Sequence, residues 1–335
     1  MNELVSVVIP TYKGAAKLAR AIDSVVNSTY KNIELIIVDD NDPNTDERYN
    51  TEKIVESYKL NKLKYLKNEK NMNGSVARNT GIRNAEGKYV TFLDDDDYLL
   101  PERIEKSIKA LKENNKNAFF SAVCVVRAGY DYKIVSLPNE ITSKDILLND
   151  LIIGTGSNLF LEKELVDSLN GFDESFERYQ DREFLIRLCQ KAKILISKDV
   201  LIVKSMNGQN NIPNVYKMKS VEEKFLRKFE AEYNNLEEKD KVRYINKKNH
   251  RMFELALESK DKKEIEETYS ILRKSKELTL YEIAGYWLEK NKYIDEKKIK
   301  KIMVYLSRKM RNVISMRKVK NNTYLWEFIR CMEEY

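Results

Sequence analysis

The sequence predicts an α/β fold, a mostly parallel sheet flanked by helices, followed by an α-helical C-terminal domain. Three observations carry that prediction. Short apolar, β-rich runs alternate with helix-period segments through the first half of the chain. Turn-forming and acidic residues stand directly after those runs, and beyond residue 213 the pattern becomes Lys-, Glu-, Leu- and Tyr-rich without a strand signal. Strand, helix, strand repetition favours a parallel sheet covered on both faces. Strands are expected at 4–9, 33–38, 63–66 and 89–93, because each is a compact apolar run rich in Val, Ile, Tyr and Phe. The intervening helices are expected at 15–27, 45–58 and 75–85; in the first, Leu18, Ile22, Val25 and Val26 recur at helical spacing. Two strand-like runs flank Gly129 within 117–137, another covers 194–203, and helices are expected at 143–150, 163–169 and 181–190. The Asn-, Gly- and Pro-rich stretch 207–214 places a domain boundary near 213, giving domains 1–213 and 214–335.

Composition limits the function classes. At 42% hydrophobic the chain can bury a core, and 34% charged residues mark it as water-facing. No run of about 18 uncharged apolar residues occurs and the chain leads directly into a strand pattern, so a cytoplasmic location is expected. Cys124, Cys189 and Cys331 lie far apart, without the spacing of a zinc site or disulfide framework. His250, the single histidine, has no ligand-type neighbour in sequence. The net charge of +7 is local: residues 290–320 hold twelve Lys or Arg against two Asp or Glu, leaving the remainder near −3. Nucleic-acid binding by the whole chain is therefore not expected, although a basic tail could still contact RNA or DNA.

In parallel sheets ligands bind at the carboxyl ends of strands. The fourth expected strand ends in Asp94-Asp-Asp-Asp97, where like charges repel and raise one another's pKa. Such a run is tolerated when a cation sits among the carboxylates or when water solvates it; carboxylate oxygens suit Mg²⁺ or Mn²⁺ that also bind substrate phosphates. Asp39-Asp40-Asn41 follows the second strand and Pro10-Thr11-Tyr12 ends the first. A carboxylate there can accept from a base or ribose and Tyr12 can stack on a base, though the same residues are ordinary turn formers.

The segments Ser6-Val-Val-Ile-Pro-Thr-Tyr12, Val38-Asp-Asp40, Ala77-Arg-Asn-Thr-Gly-Ile82, Gly87-Lys-Tyr-Val-Thr-Phe-Leu-Asp-Asp-Asp-Asp97, Asn170-Gly-Phe-Asp-Glu174 and Tyr179-Gln-Asp-Arg-Glu-Phe184 resemble, in order and spacing, the inverting family 2 glycosyltransferases of GT-A fold. The resemblance implies that Asp94 and Asp96 end a D-x-D motif that binds Mn²⁺ or Mg²⁺, with Asp96 the stronger ligand. It places Pro10, Tyr12, Asp40, Arg78, Asp94 and Asp95 on the nucleotide-sugar side, with Arg78 meeting uracil or phosphate, or else serving as an ion-pair residue. It makes Asp181 the general base for an acceptor hydroxyl. The implied reaction transfers a hexose or N-acetylhexosamine from a UDP-sugar to a glycan or lipid-linked saccharide acceptor, in the manner of bacterial surface-polysaccharide synthesis. Two departures stand out: Gln180 where many relatives have Glu, and a 205–211 loop without the His or Arg common after the last strand. The nearest competing reading, a sugar-phosphate nucleotidyltransferase, calls for a Gly-rich basic loop, and Pro10-Thr-Tyr-Lys-Gly14 supplies one glycine.

Outside the resemblance, Ile299, Ile302, Met303, Leu306, Met310 and Val313 form one helical stripe amid Lys and Arg. A basic amphipathic helix of this kind packs on neighbours, touches anionic membrane peripherally, or joins a homo-oligomer. Tyr281, Tyr286, Trp287, Tyr324 and Trp326 are expected in the tail core.

Overall fold

The computed structural model describes residues 2–126, 132–149, 156–205, 213–275, 278–279, 282–283 and 286. The basic segment 290–320, most of the 205–211 loop, Cys331, Tyr281, Trp287, Tyr324 and Trp326 lie outside the described residues.

The first part of the chain runs β1 (Val5–Thr11), α1 (Ala15–Val26), β2 (Ile33–Asp39), α2 (Asp46–Glu56), β3 (Leu63–Lys67), α3 (Gly74–Arg83) and β4 (Tyr89–Phe92). It continues through β5 (Tyr98–Leu99), α4 (Arg103–Asn114), β6 (Ala118–Val126), β7 (Tyr132–Val135), α5 (Ser143–Leu147), a 3₁₀ turn at Gly156–Asn158 and β8 (Phe160–Glu162). Then follow α6 (Lys163–Ser168), α7 (Gln180–Lys191), β9 (Ile194–Ser205) and the helices α8 (Val215–Lys228), α9 (Glu230–Asn234), α10 (Glu238–Ser259) and α11 (Lys262–Ser275). This is the α/β class expected, with helices alone after the last strand.

The strands form one mixed sheet ordered β3-β2-β1-β4-β8-β6-β9-β5, with β7 on β6. β3, β2, β1 and β4 are mutually parallel, β8 is antiparallel to both its neighbours, and β6 pairs parallel with β9. Because β8 reverses direction between them, β4 and β6 point the same way. Their carboxyl ends therefore open on the same rim of the sheet as those of β1, β2 and β9.

Alternating residues divide the sheet into two packed faces. On one, Val5, Val7, Ile9, Tyr89, Phe119 and Val123 pack with Leu18, Ile22 and Val25 of α1 and Ile104, Ile108 and Leu111 of α4. On the other, α3 lies so close to β1 that a Cβ on Gly81 would stand 2.2 Å from Val8 Cγ1. On that face Phe92 meets Phe172 edge-on at 5.3 Å, and Phe172 stacks on Phe184 of α7 at 4.3 Å.

Three elements were not anticipated. β5 and β8 have two and three residues, too few for a periodic signal. α4 does carry one, Ile104, Ile108 and Leu111, but it is masked by the acidic run and Pro101 just before it.

The chain divides into two compact units, residues 1–211 with 220–241, and residues 212–219 with 242–335. Within the first, Phe225 packs edge-on against Tyr179 at 5.4 Å, and Lys228 bonds Asp173 and Glu183 at 2.6 Å each. Within the second, Tyr269 stacks on Tyr286 and the His250 ring bonds Glu282, a buried carboxylate. Among the described residues no helix is long and apolar enough to cross a membrane.

Candidate active site at the carboxyl rim of the sheet

The acidic run is a tight turn, closed by Asp97 N–H donating to Asp94 C=O at 3.0 Å. Its four carboxylates sort by position. Asp95 turns inward: its Oδ2 accepts from Thr11 Oγ1 at 2.7 Å, and burial, followed by the charges of Asp96 and Asp94, pushes its pKa up to about 6. A Cβ on Gly14 would stand 1.7 Å from that oxygen, so a residue without a side chain is needed where α1 begins. Asp97 is fully buried and accepts from Ser157 Oγ (2.7 Å), Ser205 N–H (3.0 Å) and Lys204 Nζ (3.3 Å). Burial, then the neighbouring Asp94 charge, lifts it also to about 6. Asp94 and Asp96 stay partly open, with side chains 21% and 25% exposed.

The turn is held from behind by Ser157, whose Oγ also accepts from Asp94 N–H at 3.0 Å. The next residue, Asn158, receives Arg103 Nη2 on its carbonyl at 2.9 Å. Arg103 is fully buried over the Phe119 ring, its Nε and Nη1 have no hydrogen-bond partner among the described residues, and burial pulls its pKa down to about 9.

Cations of the chain lie among the carboxylates. Arg78, on α3, is 8% exposed and donates to Asp94 Oδ1 at 2.8 Å and Gln180 Oε1 at 3.1 Å, above the Phe172 ring. Burial opposes its charge, yet Asp94 and Asp181 outweigh that and raise its pKa. Lys204, at the end of β9, stands 3.3 Å from Asp97 and 3.7 Å from Asp94. Burial again opposes the charge, and Asp94, Asp97, Asp96 and Asp181 together hold it protonated. Lys17 reaches Asp96 at 3.5 Å.

Asp181 sits in the first turn of α7, after Tyr179 in the left-handed region at φ 61°. Arg182 anchors that helix start, stacked over Tyr179 at 4.3 Å and Phe225 at 4.6 Å while donating to Leu147 C=O. Asp181 Oδ1 is buried without a hydrogen-bond partner among the described residues. Burial raises its pKa, Arg78 and Lys204 oppose the rise, and Asp94 adds to it.

The expected residues thus converge, with distinct surroundings. Asp94, Asp96, Arg78 and Asp181 share one charged cluster. Asp40 is buried, and its carboxylate accepts from Asn68 Nδ2 (2.7 Å) and the backbone N–H of Met72 and Asn73, so it shapes the loop before α3. Pro10 belongs to β1, paired in register with Val38, and Tyr12 beyond it is 42% exposed beside Lys13. Met72, likewise 43% exposed, flanks Asp40 from the other loop. Sequence reasoning missed Lys204 and the bond from Arg78 to Gln180. A Lys closing an apolar run, Leu201-Ile-Val-Lys204, is the available signal.

The donor chemistry around Asp94 and Asp96 fits a small divalent cation, which is commonly held by one or two carboxylates, waters and substrate phosphates. Among the described residues no group of three or more His, Cys, Asp and Glu side chains is placed to hold a metal ion, so the protein alone would offer this pair.

A family model described as glycosyl transferase family 2 matches residues 6–169. An uncharacterized glycosyltransferase of Methanocaldococcus jannaschii is 31% identical over 225 residues, covering 64% of this chain and 76% of that protein. The chain belongs to glycosyltransferase family 2. A further relative, the poly(ribitol-phosphate) β-N-acetylglucosaminyltransferase TarP of Staphylococcus aureus, is 33% identical over 199 residues, 56% of this chain and 58% of TarP. Against other relatives the chain spans between 29% and 63% of their length. Among solved structures, S. aureus TarS 1–349 in complex with UDP-GlcNAc superposes with a TM-score of 0.58 at 19% identity, over 85% of this chain and 79% of that one. That likeness concerns the fold.

Proposed function

We propose that the chain is an inverting glycosyltransferase that takes a hexose or N-acetylhexosamine from a UDP-sugar and joins it to a saccharide hydroxyl. The observation that carries this reading is the convergence of the partly open Asp94 and Asp96, the buried Arg78 and half-buried Lys204, and the Asp181 oxygen without a hydrogen-bond partner among the described residues, at one sheet rim. UDP-GlcNAc in the TarS structure and N-acetylglucosaminyl transfer in the name of TarP support this donor class.

In this reading Tyr12 and Met72 flank the base, and Arg78 and Lys204 face the diphosphate. Asp181 Oδ1 takes the proton of the acceptor hydroxyl, whose oxygen attacks the anomeric carbon as the bond to the UDP oxygen breaks on the opposite face. No acid is required at the leaving group when its charge is stabilised. Mn²⁺ or Mg²⁺ held by Asp94 and Asp96 would supply the remaining positive charge on the diphosphate. Counting Asp94, Asp95, Asp96, Asp97 and Asp181, five carboxylates meet three ion-paired cations, Lys17, Arg78 and Lys204, which favours such a cation.

The test is donor binding and slow donor hydrolysis across UDP-, GDP- and dTDP-sugars, with Mn²⁺ or with EDTA. One UDP-sugar should bind in a metal-dependent manner, and Asp96→Ala should lose that dependence. Asp181→Asn should retain donor affinity and lose about 10²–10⁴-fold in turnover. Failure of every nucleotide sugar to bind would overturn the proposal.

A further inference from the structure

β6 connects the charged cluster to an exposed apolar surface. β9 runs along one edge of β6 from Ala118 to Val126. The other edge is shared: β8 takes Ala118 and Phe119, and β7 takes Val123 to Val126. β7 therefore lies where β8 stops, on the side of β6 toward β4 and beyond its carboxyl end. The register is continuous across three strands: Ser205 pairs with Val126, and Val126 with Tyr132. Ser205 N–H in turn holds Asp97, and its neighbour Lys204 pairs with Asp94 and Asp97. Tyr132 is thus two strand spacings, about 10 Å, from Ser205.

The face is fixed by alternation. Val123 belongs to the core on the α1 and α4 side, and Val125 packs against it. Cys124 and Val126 accordingly face the other side, and their directly opposed partners Ile134 and Tyr132 share that face. It is the face that carries Phe92, Phe172 and α7, hence Asp181. Tyr132 is 68% and Ile134 53% exposed there. Among the described residues β7 pairs with no strand other than β6.

We propose that the Tyr132 and Ile134 face of β7 is the platform on which the saccharide acceptor lies while one of its hydroxyls reaches Asp181. The proposal rests on the glycosyl-transfer reading above. An aromatic ring with an aliphatic neighbour offers an apolar plane for the C–H face of a sugar ring, and the tyrosine hydroxyl offers a polar edge. A second copy of the chain fits less well. The two side chains supply a few hundred Å² at most, against about 800 Å² per partner in a stable interface. Nothing about self-association would require the patch to share a face with the base and a hydrogen-bonded register with Ser205, which holds Asp97.

The experiment uses the full chain labelled with fluorotyrosine, with Tyr132→Phe identifying the resonance, saturated with UDP and titrated with lactose, cellobiose and N,N′-diacetylchitobiose. At least one disaccharide should shift the Tyr132 signal saturably. Tyr132→Ala should weaken that disaccharide about tenfold, the equivalent of one aromatic contact, and Tyr132→Trp should restore it; UDP affinity should be that of the wild type in all. Overturning results are a Tyr132 signal that no disaccharide moves, one that moves with protein concentration alone as in self-association, or undiminished affinity in Tyr132→Ala. Loss of UDP binding by the wild type would instead refute the underlying donor reading, so the two failures are distinguishable.

Discussion

Asp181 combines a buried oxygen, without a hydrogen-bond partner among the described residues, with a raised pKa, and only its ionised form can accept a proton. Activity should fall as pH drops through that raised value, at higher pH than for an ordinary carboxylate. Arg78 opposes the rise. Arg78→Met should therefore move the acid limb of kcat to still higher pH, measured as a pH profile of single-turnover transfer; an unmoved limb would show that Arg78 does not tune the base. Asp95 makes a stability prediction. Its folded pKa, about 6, exceeds the unfolded value. Keeping it ionised therefore costs stability that is absent below pH 4 and complete above pH 6. Asp95→Asn should raise the melting temperature by a few degrees at pH 7.5 and by nothing at pH 4, as read by thermal unfolding at both values.

At the scale of elements, the loop Asn170-Gly171-Phe172 shows how the site is braced. Asn170 and Gly171 both have positive φ, 56° and 64°. A Cβ on Gly171 would stand 2.4 Å from Asn79 Oδ1, the atom that accepts from Phe172 N–H at 2.8 Å. That bond seats Phe172 beneath Arg78. Gly171→Ala combines left-handed strain with loss of this bond and should cost about 2–3 kcal/mol, seen as a fall of roughly 5–10 °C in melting temperature. Most elements were legible because burial imposes a period: β1, β2 and α1 show it directly. What stayed hidden was pairing across the chain. Nothing local in Gln180 marks it as the acceptor for Arg78, 102 residues away. Asp40 was legible as a strand-end carboxylate, but the bonds its oxygens accept from the Met72 and Asn73 amides are set by loop geometry and have no local mark. The acidic run implied a neutralising cation, and the sequence could not say that Arg78 and Lys204 supply part of that charge.

At the scale of the molecule, the first compact unit takes in residues 220–241 as well as 1–211. Those later residues matter to the site, because Phe225 supports Tyr179 and Arg182 at the start of α7, and Lys228 ties Asp173 to Glu183. A fragment ending at 213 should lose this support and melt several degrees below one ending at 241, with faster proteolysis around 173–183. Equal melting of the two fragments would show that 220–241 contributes nothing to the fold of 1–211.

The turn Asp94–Asp97 also counts its residues. The first and third carboxylates open outward while the second and fourth are locked to Thr11 and to Ser157 and Ser205, so each place in the run has its own task. Deleting any one aspartate leaves three: counted from β4, the places of Asp94, Asp95 and Asp96 are refilled and Tyr98 falls in the buried place of Asp97. A phenol would then stand where the fold holds a carboxylate between Ser157 Oγ and Ser205 N–H, so a change of length strikes the buried anchor whichever aspartate is removed.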